Sequence, residues 1–143
     1  MSALARQAGC VAIAGRGVLI EGAPGLGKSS LALALIDRGA HLVGDDGVLL
    51  RARDGRLYAA PHPATRGLIE LRGVGLIPLP VRDEVPVALI LRLSPDAPRY
   101  VEAAPREILA GISLPVITLW PDGPALPLRA EWALRQHGLA IEA

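Results

Sequence analysis

With 143 residues, of which 51% are apolar and only 3% aromatic, the chain has material for one domain across residues 1–143 with a core of Leu, Val, Ile and Ala. Fifteen Lys plus Arg against fourteen Asp plus Glu leave a formal net charge of +1, which excludes the global field that draws a protein to nucleic acid or anionic lipid. The single cysteine excludes an intrachain disulfide, and no apolar stretch reaches the roughly 18–20 residues of a membrane span.

The opening MSALARQAGCVAIAGRG has an Arg and a short apolar run in the manner of a weak export signal. That run flows into the glycine-rich loop, however, and cleavage there would remove a strand the loop depends on, so a mature N-terminus in the cytoplasm is expected. Cys10–Ile13 and Gly17–Ile20 are apolar runs separated by AGRG, a hairpin signal. Cys10 itself reads as a small core residue.

The second run delivers the chain to EGAPGLGKSS, and from Lys28 to Arg38 strong helix formers predict a helix, with Gly39 placed to stop it. AHLVGDD predicts a strand closed by two acids, and VLLRA and RLYAA predict a hairpin around RDGR. After the loop HPATRG, LIELRGVGLIPLP gives two short strands broken by Gly73 and Gly75. The most apolar run, VPVALILRL at 85–93, predicts a central strand. SPDAPRYVEAAPRE, with three prolines, predicts a loop with a short helix near its end, LPVITL a strand, and RAEWALRQHG a closing helix with Trp132 on its apolar side. Alternating strands and helices make the fold class α/β.

Gly22, Gly27, Lys28 and Ser29 fit G-x-x-x-x-G-K-[ST], between an apolar strand and a helix. Small residues let consecutive backbone N–H groups turn inward, and the helix N-terminus adds partial positive charge where phosphate oxygens would lie. Lys28, the only lysine in a chain that otherwise uses arginine, is placed to reach the β and γ phosphates. The Ser29 hydroxyl is suited to Mg²⁺. The expected cofactor-binding stretch is therefore Gly22, Ala23, Pro24, Gly25, Leu26, Gly27, Lys28, Ser29 and Ser30, for a nucleotide with Mg²⁺. With no Phe and two Tyr, an adenine would be held by aliphatic contacts and backbone polar groups.

Asp45 and Asp46 end the next strand. Alone, Asp-Asp-Gly is a turn with two exposed acids; after a phosphate loop, the pair is placed to hold Mg²⁺ through water or take a proton from an attacking hydroxyl. Glu70 and Arg72 read either as solvated charges of an alternating strand or as groups for metal and phosphate. His41, His62 and His137 lack metal spacing; His62 reads as a loop cap. Trp120 and Trp132 read as packing residues.

GAPGLGKSS, AHLVGDD and GLIELRGVGLI in this order, with E-x-R-G-x-G inside the last, resemble the catalytic domain of the HPr kinase/phosphorylase family, especially short forms lacking an N-terminal domain. The resemblance runs from about residue 7 to about residue 120. It implies a P-loop kinase domain with a mixed, strand-rich sheet that phosphorylates a serine of the phosphocarrier protein HPr, or of a homologue, using ATP. Phosphorolysis is the reverse activity of many members.

Carried over to this chain, Ser29 and Glu70 become Mg²⁺ ligands and Lys28 a phosphate contact. Asp46 becomes the base that accepts the serine proton, with Asp45 beside it, and Arg99 matches the arginine that follows the long apolar strand. The resemblance also implies a homo-oligomer, typically a hexamer; the near-neutral charge and the lack of an apolar span make no nucleic-acid or membrane partner the expectation.

This chain departs from the pattern in three places. Gln7 stands where the family has a catalytic histidine, Ser30 where long forms often have Glu, and PVITLWPDG occupies the place of the basic loop linked to phosphorolysis. Glutamine hydrogen-bonds but does not titrate. These departures leave phosphorolysis the least supported activity, and a nucleotide-binding regulatory module with little turnover is the alternative. A small-molecule kinase or simple NTPase is a third reading, set back by the lack of a visible lid.

Overall fold

The computed structural model describes residues 3–141. Its elements are β1 (Leu4–Arg6), β2 (Gly9–Ile13), β3 (Arg16–Glu21), α1 (Lys28–Asp37), β4 (His41–Gly44), β5 (Val48–Arg53), β6 (Arg56–Pro61), β7 (Leu68–Leu71), β8 (Gly75–Pro78), β9 (Val85–Leu93), β10 (Arg106–Leu109), β11 (Ile112–Leu119) and α2 (Leu126–His137). Nine strands form one mixed sheet with the path β1-β5-β6-β9-β3-β2-β4, and β11 joins β9 while pairing with β10. The strand-rich α/β class expected from the sequence is what forms. As expected from its run of apolar residues, β9 is central: it lies parallel to β3 and β11 and antiparallel to β6.

Residues of successive β3 positions go to opposite faces. Val18 and Ile20 join one core with Leu31, Ala32 and Leu35 of α1 and Ala130, Ala133 and Leu134 of α2. Leu19 joins a second core with Cys10, Val48, Leu57, Ile90 and Leu114, in which every buried member belongs to a strand. Each such fully buried Leu or Ile contributes about 1.5–3 kcal/mol relative to exposure. Cys10 is fully buried, as expected, and burial pushes its thiol up to about 12.

The β2–β3 and β5–β6 hairpins turn through Ala14-Gly15 and Asp54-Gly55, each pair with both φ values positive, the type I′ arrangement that matches strand twist. Helix α1 stops as expected at Gly39 (φ 112). Its N–H donates to the Ile36 carbonyl and that of Ala40 to Leu35, satisfying the last carbonyls.

Three expectations are corrected. No helix forms near residue 105; Arg106–Leu109 is a strand paired with β11 through Arg106↔Pro115 to Leu109↔Ile112. Pro105 lacks the N–H a helix would use, and Ala110-Gly111 makes the same positive-φ turn as the other hairpins. The closing helix begins at Leu126, with proline in its first turn, ahead of the expected RAEWALRQHG.

Trp132 lies on the outside of that helix, 56% exposed, because Leu126, Ala130, Ala133 and Leu134 already fill the buried side. Its ring instead carries the Arg135 guanidinium 4.9 Å from the centroid. Trp120 is half exposed as well, so neither tryptophan is a core residue.

Candidate active site

Strand β3 ends at Glu21, and the loop Gly22–Gly27 carries the chain to α1 through positive φ at Gly22 (154), Gly25 (86) and Gly27 (89). Gly22 is also pinned sterically: a side chain there would meet the Leu93 carbonyl at 3.0 Å. Open space surrounds the Cβ positions of Gly25 and Gly27, so a ligand can approach the backbone at those two residues. The Lys28 ammonium donates to the Gly22 carbonyl at 2.7 Å, folding the lysine back over the loop. Leu26 anchors the loop by packing against the helix-side core.

Asp45 directly follows β4 and is buried, and two neutral donors hold it. The Ser29 hydroxyl donates to its Oδ1 at 2.7 Å and the Glu70 backbone N–H to its Oδ2 at 3.0 Å. One carboxylate therefore ties the helix start to the hairpin β7–β8, a two-stranded sheet of its own anchored by fully buried Ile69. Asp46 follows, exposed and with φ 61, a left-handed conformation that Asp tolerates.

These elements border an open cleft of about 820 Å³ lined by Pro24, Gly25, Gly27, Lys28, Ser29, Ser30, Asp45, Asp46 and Glu70, together with Gln7, Gly9 and the segment Leu71–Gly75. Residues singled out on three separate stretches of sequence thus line one cleft. Gly22, Ala23, Leu26 and Arg99 do not line the cleft; Gly22 and Leu26 are partly buried, Ala23 is exposed on the loop and Arg99 on the segment after β9. His62 is likewise outside, where its Nδ1 accepts from the Ala64 N–H at 3.1 Å as a loop cap. Arg72 lines the cleft and makes no hydrogen bond or ion pair among the described residues, leaving its guanidinium free for an anion.

Among the described residues no three His, Cys, Asp or Glu converge into a metal cage. Oxygen donors from a serine and scattered carboxylates suit Mg²⁺, which takes one or two protein ligands and completes its shell with phosphate and water.

Residues 2–83 match the family model described as "HPr Serine kinase C-terminal domain". The chain belongs to that family. The HPr kinase/phosphorylase of Streptococcus thermophilus is 50% identical over 68 residues, covering 47% of this chain and 22% of that protein. The one from Mycoplasma mycoides is 36% identical over 88 residues, covering 57% of this chain and 28% of the relative. The aligned part is therefore about a quarter of those relatives' length. A solved structure, the HPr(Ser) kinase/phosphatase of Coxiella burnetii, superposes with a TM-score of 0.82 at 32% identity and covers 92% of this chain and 94% of its own.

Proposed function

We propose that this domain transfers the γ-phosphoryl group of ATP, with Mg²⁺, to a serine hydroxyl of HPr or a homologous phosphocarrier in the cytoplasm, as a homo-oligomer. The observation that carries the proposal is the Asp45 carboxylate, bonded at once to Ser29 and to the Glu70 backbone, which holds the phosphate loop, the acid pair and the E-x-R-G-x-G hairpin around one cleft.

In this reading the loop amides and Lys28 bind the β and γ phosphates, and Lys28 exchanges the Gly22 carbonyl for phosphate oxygen. Ser29 and Glu70 hold the metal, which when bound neutralises charge on the phosphates. The exposed Asp46 faces the acceptor. Its carboxylate takes the serine proton as the serine Oγ–P bond forms and the bond from the γ phosphorus to the β–γ bridging oxygen breaks, releasing ADP. Arg72, without a hydrogen-bond or ion-pair partner among the described residues, steadies the transferring group. Arg99 is assigned a supporting contact on the resemblance alone.

Gln7 lines the cleft and does not titrate, which favours a second reading, an ATP-binding regulatory module with little turnover. One assay separates the two: labelled ATP, Mg²⁺ and the organism's own phosphocarriers, with ATP affinity measured in parallel. Label on the carrier's serine supports the kinase; micromolar ATP binding without transfer supports the module. Adding excess phosphate to the phosphorylated carrier tests phosphorolysis, which is expected to be weak.

A further inference from the structure

The cleft is chemically lopsided. Gln7 and Asp46 belong to one side of it, where β2 meets β4 through Cys10↔Gly44. Its large apolar lining side chains, Leu71 and Val74, belong instead to the β7–β8 hairpin. Val74 sits at the hairpin tip with 70% of its surface exposed, although nothing in the phosphate chemistry calls for an apolar group there.

The tip is also held in shape. The Val74 N–H donates to the Leu71 carbonyl at 3.0 Å, and the flanking Gly73 (φ 81) and Gly75 (φ 122) have no atom within 4 Å of where a side chain would begin. A flat ring could therefore lie against Val74 and reach bare backbone on either side. The tip lines the same cleft as Gly25, Gly27, Lys28, Ser29 and Ser30, so a base on Val74 and phosphates on that loop would share one opening.

We propose that the β7–β8 tip is the nucleobase shelf of the cleft: the base of a nucleoside triphosphate lies on Val74, backed by Leu71, while its phosphates occupy Gly25–Ser30. This inference rests on the phosphate-cradle reading of that loop. Among the tip side chains only Arg72 offers hydrogen bonds, so the ring is held by contact area and backbone groups, which favours a purine over a pyrimidine.

Calorimetric titration of the full chain with ATP and with tripolyphosphate, both with Mg²⁺, tests it in wild type, Val74→Ser and Val74→Ile. Wild type should bind ATP at least about tenfold more tightly than tripolyphosphate, Val74→Ser should weaken ATP about three- to tenfold while leaving tripolyphosphate unchanged, and Val74→Ile should behave as wild type. An unchanged ATP-to-tripolyphosphate ratio in Val74→Ser, or no ATP advantage in wild type, overturns the shelf alone. Failure of both ligands to bind wild type overturns the cradle as well. Because the side chain is exposed, a thermal melt is expected to show all three proteins equally folded.

Discussion

Two acids, Glu21 and Asp45, are the buried charged residues among those described, and they are held in opposite ways. Glu21, the last residue before the phosphate loop, is clamped by cations: Arg6 at 2.6 Å on one oxygen and Arg92 at 2.8 Å on the other, with Glu107 completing a ring of alternating charge. The hydrogen bonds that Arg92 donates to Glu21 and Glu107 hold its guanidinium above its ordinary range. Asp45, one strand end away, is held by a hydroxyl and a backbone N–H. Its geometry is fixed, but among the described residues no Lys, Arg or His forms an ion pair with it. A buried acid with its charge cancelled frames a site, whereas one with its geometry fixed and its charge left over is prepared to receive a cation.

The largest expected effect removes the cradle's own cation. Lys28→Ala should lower phosphoryl transfer to the carrier by about 10² or more, and a variant that still labels HPr at the wild-type rate would refute the kinase reading. Asp45→Asn sharpens the contrast directly. The amide can accept from the Glu70 N–H and donate to the Ser29 hydroxyl, which can accept as well as donate, so chemical denaturation should show a stability change within about 1 kcal/mol. Mg²⁺-dependent ATP affinity should nonetheless fall at least about tenfold, since only the charge is lost.

Glu21→Gln should do the reverse. It leaves two guanidiniums facing a neutral amide and should cost about 1–3 kcal/mol of stability, at the low end because both arginines keep part of their surface in water. Tripolyphosphate affinity of the folded fraction should hardly change, and if it collapses, Glu21 belongs to the site rather than to its frame. The smallest effect concerns Cys10: burial raises its thiol to about 12, so iodoacetamide at pH 8 should label it only after denaturant is added.

Much of the framework was legible because it is local. The apolar run at 85–93 became the central strand, Ala14-Gly15 and Asp54-Gly55 turned their hairpins, and Gly39 stopped α1. Ala110-Gly111 carries the same turn signal, but the three prolines before it masked the strand it serves. Three-residue β1 was missed because its pairing with β5, Leu4↔Leu50 to Arg6↔Val48, is long-range and its own residues carry little pattern. The tryptophans were misplaced because side-chain size suggests burial, while the face that α2 presents is decided by where Ala130 and Ala133 allow close approach to the sheet and α1.

By itself the sequence determined the glycine-rich loop, its helix and the acids and arginines available to it, since a glycine run, an N-terminal helix turn and an Asp pair are properties of neighbouring residues. Only the tertiary structure decided which acid is given cationic partners. Glu21 and Asp45 look alike as acids at strand ends; their difference lies in partners brought from β1 and β9 to the one and from α1 and β7 to the other. Electrostatic compensation depends on distance in space, and folding brought two guanidiniums within hydrogen-bonding reach of Glu21 but only neutral donors to Asp45.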